Sequence, residues 1–192
     1  MHNSTHQIWT ERTVVRMATL DDVPAIARYF RENRAFLAPW EPRRSERFFT
    51  DEFWGEQVRR NLEEADNDRS LRLFIFPRDA PGEVIGNLGF SEFVRGMFQA
   101  CYLGYGLSAA REGRGYMREA LTAAIAHVFG ELRLHRIMAN YLPHNRRSGN
   151  LLKALGFQVE GYARDYLLID GRWEDHVLTS LTNPEWRAAD PM

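Results

Sequence analysis

One cysteine, Cys101, stands in a chain of 192 residues, so no internal disulfide can form. That usage fits a reducing compartment and sets the expectation of a cytoplasmic protein. No apolar run approaches the ~18 to 20 residues that cross a bilayer, which argues against a helical membrane span. The stretch from His2 to Arg12 is polar and lacks the apolar core of a secretory signal, so no leader is expected there. Excess charge of either sign is missing too. With 25 basic and 26 acidic residues the net charge is -1, which speaks against direct nucleic-acid binding by charge alone. Only local clusters remain, at Arg43, Arg44 and Arg47 and at Arg146 and Arg147. No cysteine and histidine spacing makes a zinc site, and no metal is expected.

Nor is there a repeat, a low-complexity tract or a Pro/Gly/Ser linker. The length suits one domain over 1–192 with a full core, fraying at about 1–7 and 188–192. Thr13 to Met17 alternates as an opening strand. Thr19 and Asp22 make a capping-box pattern, followed by Val23, Ile26, Ala27 and Phe30 at helical spacing, with Pro24 in the first turn. Pro39 and Pro42 bound a loop that contains Trp40, either a lid over the core or a wall of a groove. A second helix is predicted over Phe53–Glu64 with Trp54, Val58 and Leu62 inward. Strands are predicted over Leu71–Phe76, Val84–Phe90 and Phe98–Leu107, with a turn at Pro81-Gly82. The chain then alternates strand and helix and closes on Tyr166–Asp170, a turn at Asp170-Gly171, and Trp173–Leu181. An antiparallel front half followed by βαβ-like units predicts a mixed α/β sheet with helices on both faces.

The most informative segment runs from Cys101 to Phe129 as strand, glycine-bearing loop and helix without a gap. A helix N-terminus offers unpaired N–H groups and the positive end of its dipole. Glycines in the entering loop let a phosphate approach the backbone closely. Gly113 and Gly115, with Arg111 and Arg114 beside them and Tyr116 and Met117 opening the helix, read as the pyrophosphate seat of a nucleotide-containing cofactor. Two glycines alone would be no more than a tight turn. Pro143-His144-Asn145-Arg146-Arg147-Ser148 follows a second strand, Arg136–Tyr141, and opens a short helix that ends at Gly156, a fit for a left-handed C-cap.

This order of strand, Gly-loop helix, strand, Asn-x-x-Ser helix and Gly-Phe strand resembles the GNAT acetyltransferases. The family loop, Q/R-x-x-G-x-G/A, falls on Glu112 to Met117. It departs at both ends and keeps Gly115. Glu32 to Pro42, Phe93 to Gly96, Ala100 to Tyr105, His135 to Tyr141 and Tyr162 to Trp173 resemble the RimJ type of ribosomal-protein alanine N-acetyltransferase. The resemblance implies the GNAT acyl-CoA N-acyltransferase fold, with a mostly antiparallel splayed central sheet. It also implies acetyl-CoA as cosubstrate, and as partner the N-terminus of a small-subunit ribosomal protein, within the assembling subunit or outside it. Tyr102, Leu103, Gly104 and Tyr105 would align the pantetheine by backbone bonds. Asn145 would bond the same arm or cap the helix.

Acetyl transfer to an amine requires the thioester beside the nucleophile, a neutral amine and a protonated leaving thiolate. An α-amine, at about 7.7 to 8.0, needs a weaker base than a lysine at about 10.4. Ser148 is the general-acid candidate: the resemblance implies a hydroxyl near the thioester sulfur at the Ser of Asn-x-x-Ser, and Leu152 occupies the position where many relatives carry a tyrosine; its plainer role is a first-turn serine. The base is less constrained. Tyr102 stands where relatives often have a glutamate. Asp165, Glu160, Glu92 and His144 remain, with Asp165 preferred as amine ligand or water-mediated base. Cys101 reads as a small buried strand residue rather than an acetyl carrier. Two other readings stay open: a ribosome-assembly factor with a regulatory CoA site, and the same fold acting on another ribosomal protein or a small amine.

Overall fold

The structure, a computed structural model, describes residues 6–187. Eight strands form one sheet in the order β1-β2-β3-β4-β5-β6-β8-β7. They are β1 (Gln7–Trp9), β2 (Thr13–Arg16), β3 (Leu71–Pro77), β4 (Gly86–Val94), β5 (Ala100–Leu107), β6 (Arg136–Tyr141), β7 (Gln158–Ile169) and β8 (Arg172–Thr182). Five helices flank them: α1 (Val23–Glu32), α2 (Arg34–Leu37), α3 (Asp51–Asp66), α4 (Tyr116–Gly130) and α5 (Arg146–Ala154). All strand pairs are antiparallel except β5 with β6. The mixed sheet with helices on both faces is the architecture that the alternation of elements predicts. No described helix is long and apolar enough to cross a membrane.

Strand alternation sends side chains to two cores. Leu71, Leu73, Ile75, Leu88, Phe90, Cys101 and Leu103 pack with the Met117, Ala120, Leu121, Ala124, Ile125 and Val128 face of α4. Phe74 and Phe76 pack on the other face with Phe30, Phe48 and Trp54 from the front-half helices, where the Phe30 and Trp54 rings stack at 4.7 Å. Each fully buried aliphatic or aromatic side chain contributes roughly 1.5–3 kcal/mol.

Several local expectations shift. The Thr19–Asp22 capping box exists, but it opens a 3-10 turn over Leu20–Asp22 that leads into α1. Pro39 sits in a second 3-10 turn, Ala38–Trp40, directly after α2. Leu62 does not point inward: it is exposed, and Asn61 is buried in its place. The 3.6-residue period explains this, since 54, 58 and 61 lie on one stripe. Asn61 is satisfied, its Oδ1 accepting from Gln57 Nε2 at 2.8 Å. Phe98 is exposed ahead of β5, because the β4–β5 turn extends through Gly96 at φ +68°. Strand β1 was not foreseen. Of the termini expected to fray, residues 1–5 and 188–192 lie outside the described residues. His6 and Gln7 are ordered, with Gln7 paired to Arg16 and His6 Nδ1 2.9 Å from His127 Nε2.

Candidate active site

Strands β5 and β6 pair over only three positions, Ala100↔Arg136, Cys101↔Ile137 and Tyr102↔Met138. Beyond Tyr102, β5 stays bonded to β4 through Leu107, while β6 continues along β8. The two strands therefore splay, and the backbone of β5 from Leu103 onward faces a gap. Unpaired strand groups are a template for an added extended chain. A cleft of about 650 Å³ occupies the gap, lined along one wall by Leu103 to Leu107 and at one end by Gly113, Gly115, Tyr116 and Met117.

The glycine loop has the geometry of an anion seat. Gly113 and Gly115 take φ +70° and +81°, and Gly115 is the N-cap of α4. A Cβ at Gly113 would meet nothing within 4 Å, so the loop backbone stands open to a ligand. A pyrophosphate there would meet the free N–H groups and the positive end of a four-turn helix. The loop is braced from behind. Arg12 donates from Nε to Glu119 Oε2 at 2.7 Å and from Nη1 to the Arg114 carbonyl at 2.8 Å. Glu119, in the first turn of α4, also accepts from Thr10 Oγ1 at 2.6 Å and the Arg12 amide at 2.8 Å. Burial pushes the Glu119 carboxyl up, but those hydrogen bonds outweigh it and hold it below the usual range.

The cationic side chains at this end are not the ones the loop sequence suggests. Arg111 pairs with Glu83 at 2.8 Å, and neither Arg111 nor Arg114 lines the cleft. Arg118 and Arg147 do, and Arg147 bonds Glu112. Arg118 was readable in principle as the third residue of a helix whose N-terminus binds an anion. Arg147 is brought in by α5, which no local pattern places.

Across the gap, α5 begins with Asn145 as its N-cap, the side-chain oxygen accepting from the Ser148 amide at 3.1 Å. The Ser148 and Tyr105 hydroxyls share a hydrogen bond of 2.8 Å. Burial pushes the Tyr105 phenol up to about 12, so it stays a proton-bearing partner. Ser148, Tyr105 and Asn145 all line the cleft, and Leu152 is buried one turn below. Gly149 is required here: a Cβ would lie 2.8 to 3.0 Å from the Tyr141 ring.

The other candidates fall elsewhere. Tyr102 sits at the last paired position of β5 and does not line the cleft. Asp165 is exposed in an irregular stretch of β7 at φ +46°, its amide donating to Asp175 Oδ1 at 2.9 Å, and it too lies outside the cleft lining. Glu160 is taken up by Ser180 and Arg136, whose hydrogen bonds hold it low. His144 packs on Trp40 at 5.6 Å between ring centroids, and Trp40 lines the cleft. Burial pushes the Cys101 thiol up to about 12, which makes it a poor acetyl carrier. Glu41, unforeseen, does line the cleft. Burial raises its carboxyl above the ordinary value, with Arg44 opposing. Among the described residues no group of three His, Cys, Asp or Glu could hold a metal ion.

A splayed strand pair, an open glycine loop on a helix N-terminus and a hydroxyl pair across the gap suit an extended ligand that carries a phosphate at one end. The chain matches the family model for the acetyltransferase (GNAT) domain over residues 12–158 and belongs to the GNAT acetyltransferases, which draw their acetyl group from acetyl-CoA. It is 48% identical over 180 residues to the [ribosomal protein uS5]-alanine N-acetyltransferase of Escherichia coli (strain K12), covering 94% of this chain and 92% of that protein. Among solved structures it resembles the ribosomal-protein-S5-alanine acetyltransferase of Vibrio fischeri, with a TM-score of 0.91 and 39% identity over 95% of this chain and 99% of that one. Mycobacterium smegmatis RimJ in complex with CoA-disulfide matches with a TM-score of 0.88 and 27% identity, covering 97% and 91%.

Proposed function

We propose that the protein transfers the acetyl group of acetyl-CoA to the N-terminal α-amine of a ribosomal protein, an N-terminal alanine of a small-subunit protein being favoured. The likeness in sequence to the uS5-alanine enzyme, spread over nearly the whole of both chains, carries the choice of acceptor. Such an acceptor places the work in the cytoplasm, on the free protein or the assembling subunit. Residues 12–158 match the family, and β7 and β8 complete the same sheet, which supports one domain over 1–192.

In this reading the amides of Gly113 to Gly115 hold the pyrophosphate, with Arg118 and Arg147 alongside. The free edge of β5 from Leu103 to Tyr105 aligns the pantetheine, and Asn145 closes on it from α5. Ser148, kept in place by Tyr105, donates a proton to the departing sulfur. The amine attacks directly while both substrates are bound. Incubation with acetyl-CoA and an N-terminal alanine peptide of ribosomal protein uS5 tests the reading. Thiol release with a peptide heavier by one acetyl group is expected. Turnover of spermidine but no peptide would overturn it.

A further inference from the structure

We propose that Glu41 receives the acceptor: its carboxylate binds the incoming amine and takes the proton that must leave before attack. The inference rests on the reading above that the acceptor is an amine. Two carboxylates line the cleft, Glu41 and Glu112. Glu112 sits in the glycine loop and is bonded to Arg147, so it belongs to the phosphate end. Glu41 is the other acid, in the segment that follows α2.

Its surroundings are those of a site rather than of a surface ion pair. The Glu41 side chain is 21% exposed, yet its one charged partner among the described residues, Arg44, stands at 3.5 Å, with the Arg44 side chain itself 39% exposed. A carboxylate withdrawn from water normally gains a close, multidentate partner. Here the guanidinium is too distant for a strong bond, and the vacant hydrogen-bonding capacity suits an ammonium ion. The main chain is held on two sides. The Glu41 carbonyl accepts from the Asp170 amide at 3.0 Å, in the β7–β8 turn. The preceding Trp40 packs on His144, in the loop that leads to Asn145 and Ser148. The Glu41 segment is thus tied to both the β7–β8 turn and the loop that leads into α5. His176 also lines the cleft, but its Nδ1 is engaged by the Glu174 carbonyl at 3.0 Å on its own strand.

The proton count closes with these groups. The bound ammonium gives one proton to Glu41. The neutral nitrogen forms the C–N bond to the thioester carbonyl carbon as the C–S bond breaks, and its second proton reaches the sulfur by way of the Ser148 hydroxyl. The products are the amide and the free thiol, and Glu41 returns its proton to solvent.

Glu41→Gln keeps size and hydrogen bonding and removes the charge. With an N-terminal alanine peptide, kcat/KM should fall about 100-fold, the scale of a lost general base, with both a raised peptide KM and a lowered kcat. The acetyl-CoA Kd should stay within about twofold. Glu41→Asp should recover part of the loss. Peptide kcat/KM within about twofold of wild type in Glu41→Gln would overturn the proposal while leaving the acetyltransferase reading intact. An equal loss of acetyl-CoA binding would overturn it too, by assigning Glu41 a structural role. A wild-type protein that turns over no amine peptide would overturn both.

Discussion

Ser148 and Tyr105 lie 43 residues apart in the chain, and their shared hydrogen bond is the contact on which the acid role proposed for Ser148 depends. A serine hydroxyl is a weak acid, so its usefulness lies in position and in being replenished by a neighbour. Ser148→Ala should lower kcat about 10- to 100-fold and leave the acetyl-CoA Kd within about twofold. Unchanged turnover would remove Ser148 from that role. Tyr105→Phe keeps the ring and deletes the hydroxyl, freeing Ser148 to rotate; a loss smaller than that of Ser148→Ala, read as kcat under saturating acetyl-CoA, is expected. Cys101 supplies the contrast: buried and with its thiol raised, it should resist alkylation in the native protein, as mass spectrometry after iodoacetamide treatment would show.

The elements matter through their ends. The first turn of α4 is held by β1, β2 and the turn between them, with Arg12 bridging Glu119 and the Arg114 carbonyl. Removing Arg12 leaves a part-buried carboxylate without its cation and the glycine loop without its brace. Arg12→Ala should therefore raise the acetyl-CoA Kd and lower the melting temperature, as isothermal titration and thermal melts would record. Gly149 in α5 sets two effects against each other. Alanine in a helix interior gains about 1 kcal/mol over glycine. Overpacking against the Tyr141 ring costs about 1–3 kcal/mol, and contacts of 2.8 to 3.0 Å make that cost the larger one. Gly149→Ala should melt below wild type and lose activity as Tyr141 shifts beside the cleft; a higher melting temperature would refute the clash.

Across the whole molecule, the start of the chain is tied to α4. On the β1 side, His6 and His127 meet at 2.9 Å, one from just before the first strand and one from the last turn of α4. Burial lowers both imidazoles, opposed at His6 by Asp66 and Glu131; His6 lowers His127 further and Glu131 opposes. The folded state thus prefers the neutral rings, while the unfolded chain takes up protons near the ordinary value of about 6.5. Stability from this pair is present above that value and is lost as pH falls through the lowered folded values. Thermal melts should drop more steeply below about pH 6.5 in wild type than in a His6→Gln, His127→Gln double variant.

Much of this was legible along the chain, for reasons that are local. The stripe Met117 to Val128 fixes a helix and its buried face, because a 3.6-residue period leaves one solution. The glycines at 113 and 115 mark positive φ, and Gly156 does so at φ +93°, because side chains resist that region. Family likeness reached the Asn145–Ser148 cap as well. Leu62 went wrong by one position because a stripe drifts from any strict repeat of four. The cleft was less legible. Arg111 and Arg114 adjoin the loop in sequence, yet at that end the arginines that line the cleft are Arg118 and Arg147. Glu41 sits between two prolines in a segment with no periodicity to read.

The sequence by itself determined the order of elements, the glycine turn at the head of α4 and the buried stripe beneath it, because each depends on backbone sterics and periodicity over a few neighbours. Only the tertiary structure decided where β5 and β6 part, which arginines line the glycine-loop end of the cleft and which carboxylates line it. Those follow from strands and loops far apart in the chain meeting around one gap, and no short stretch of residues carries that geometry.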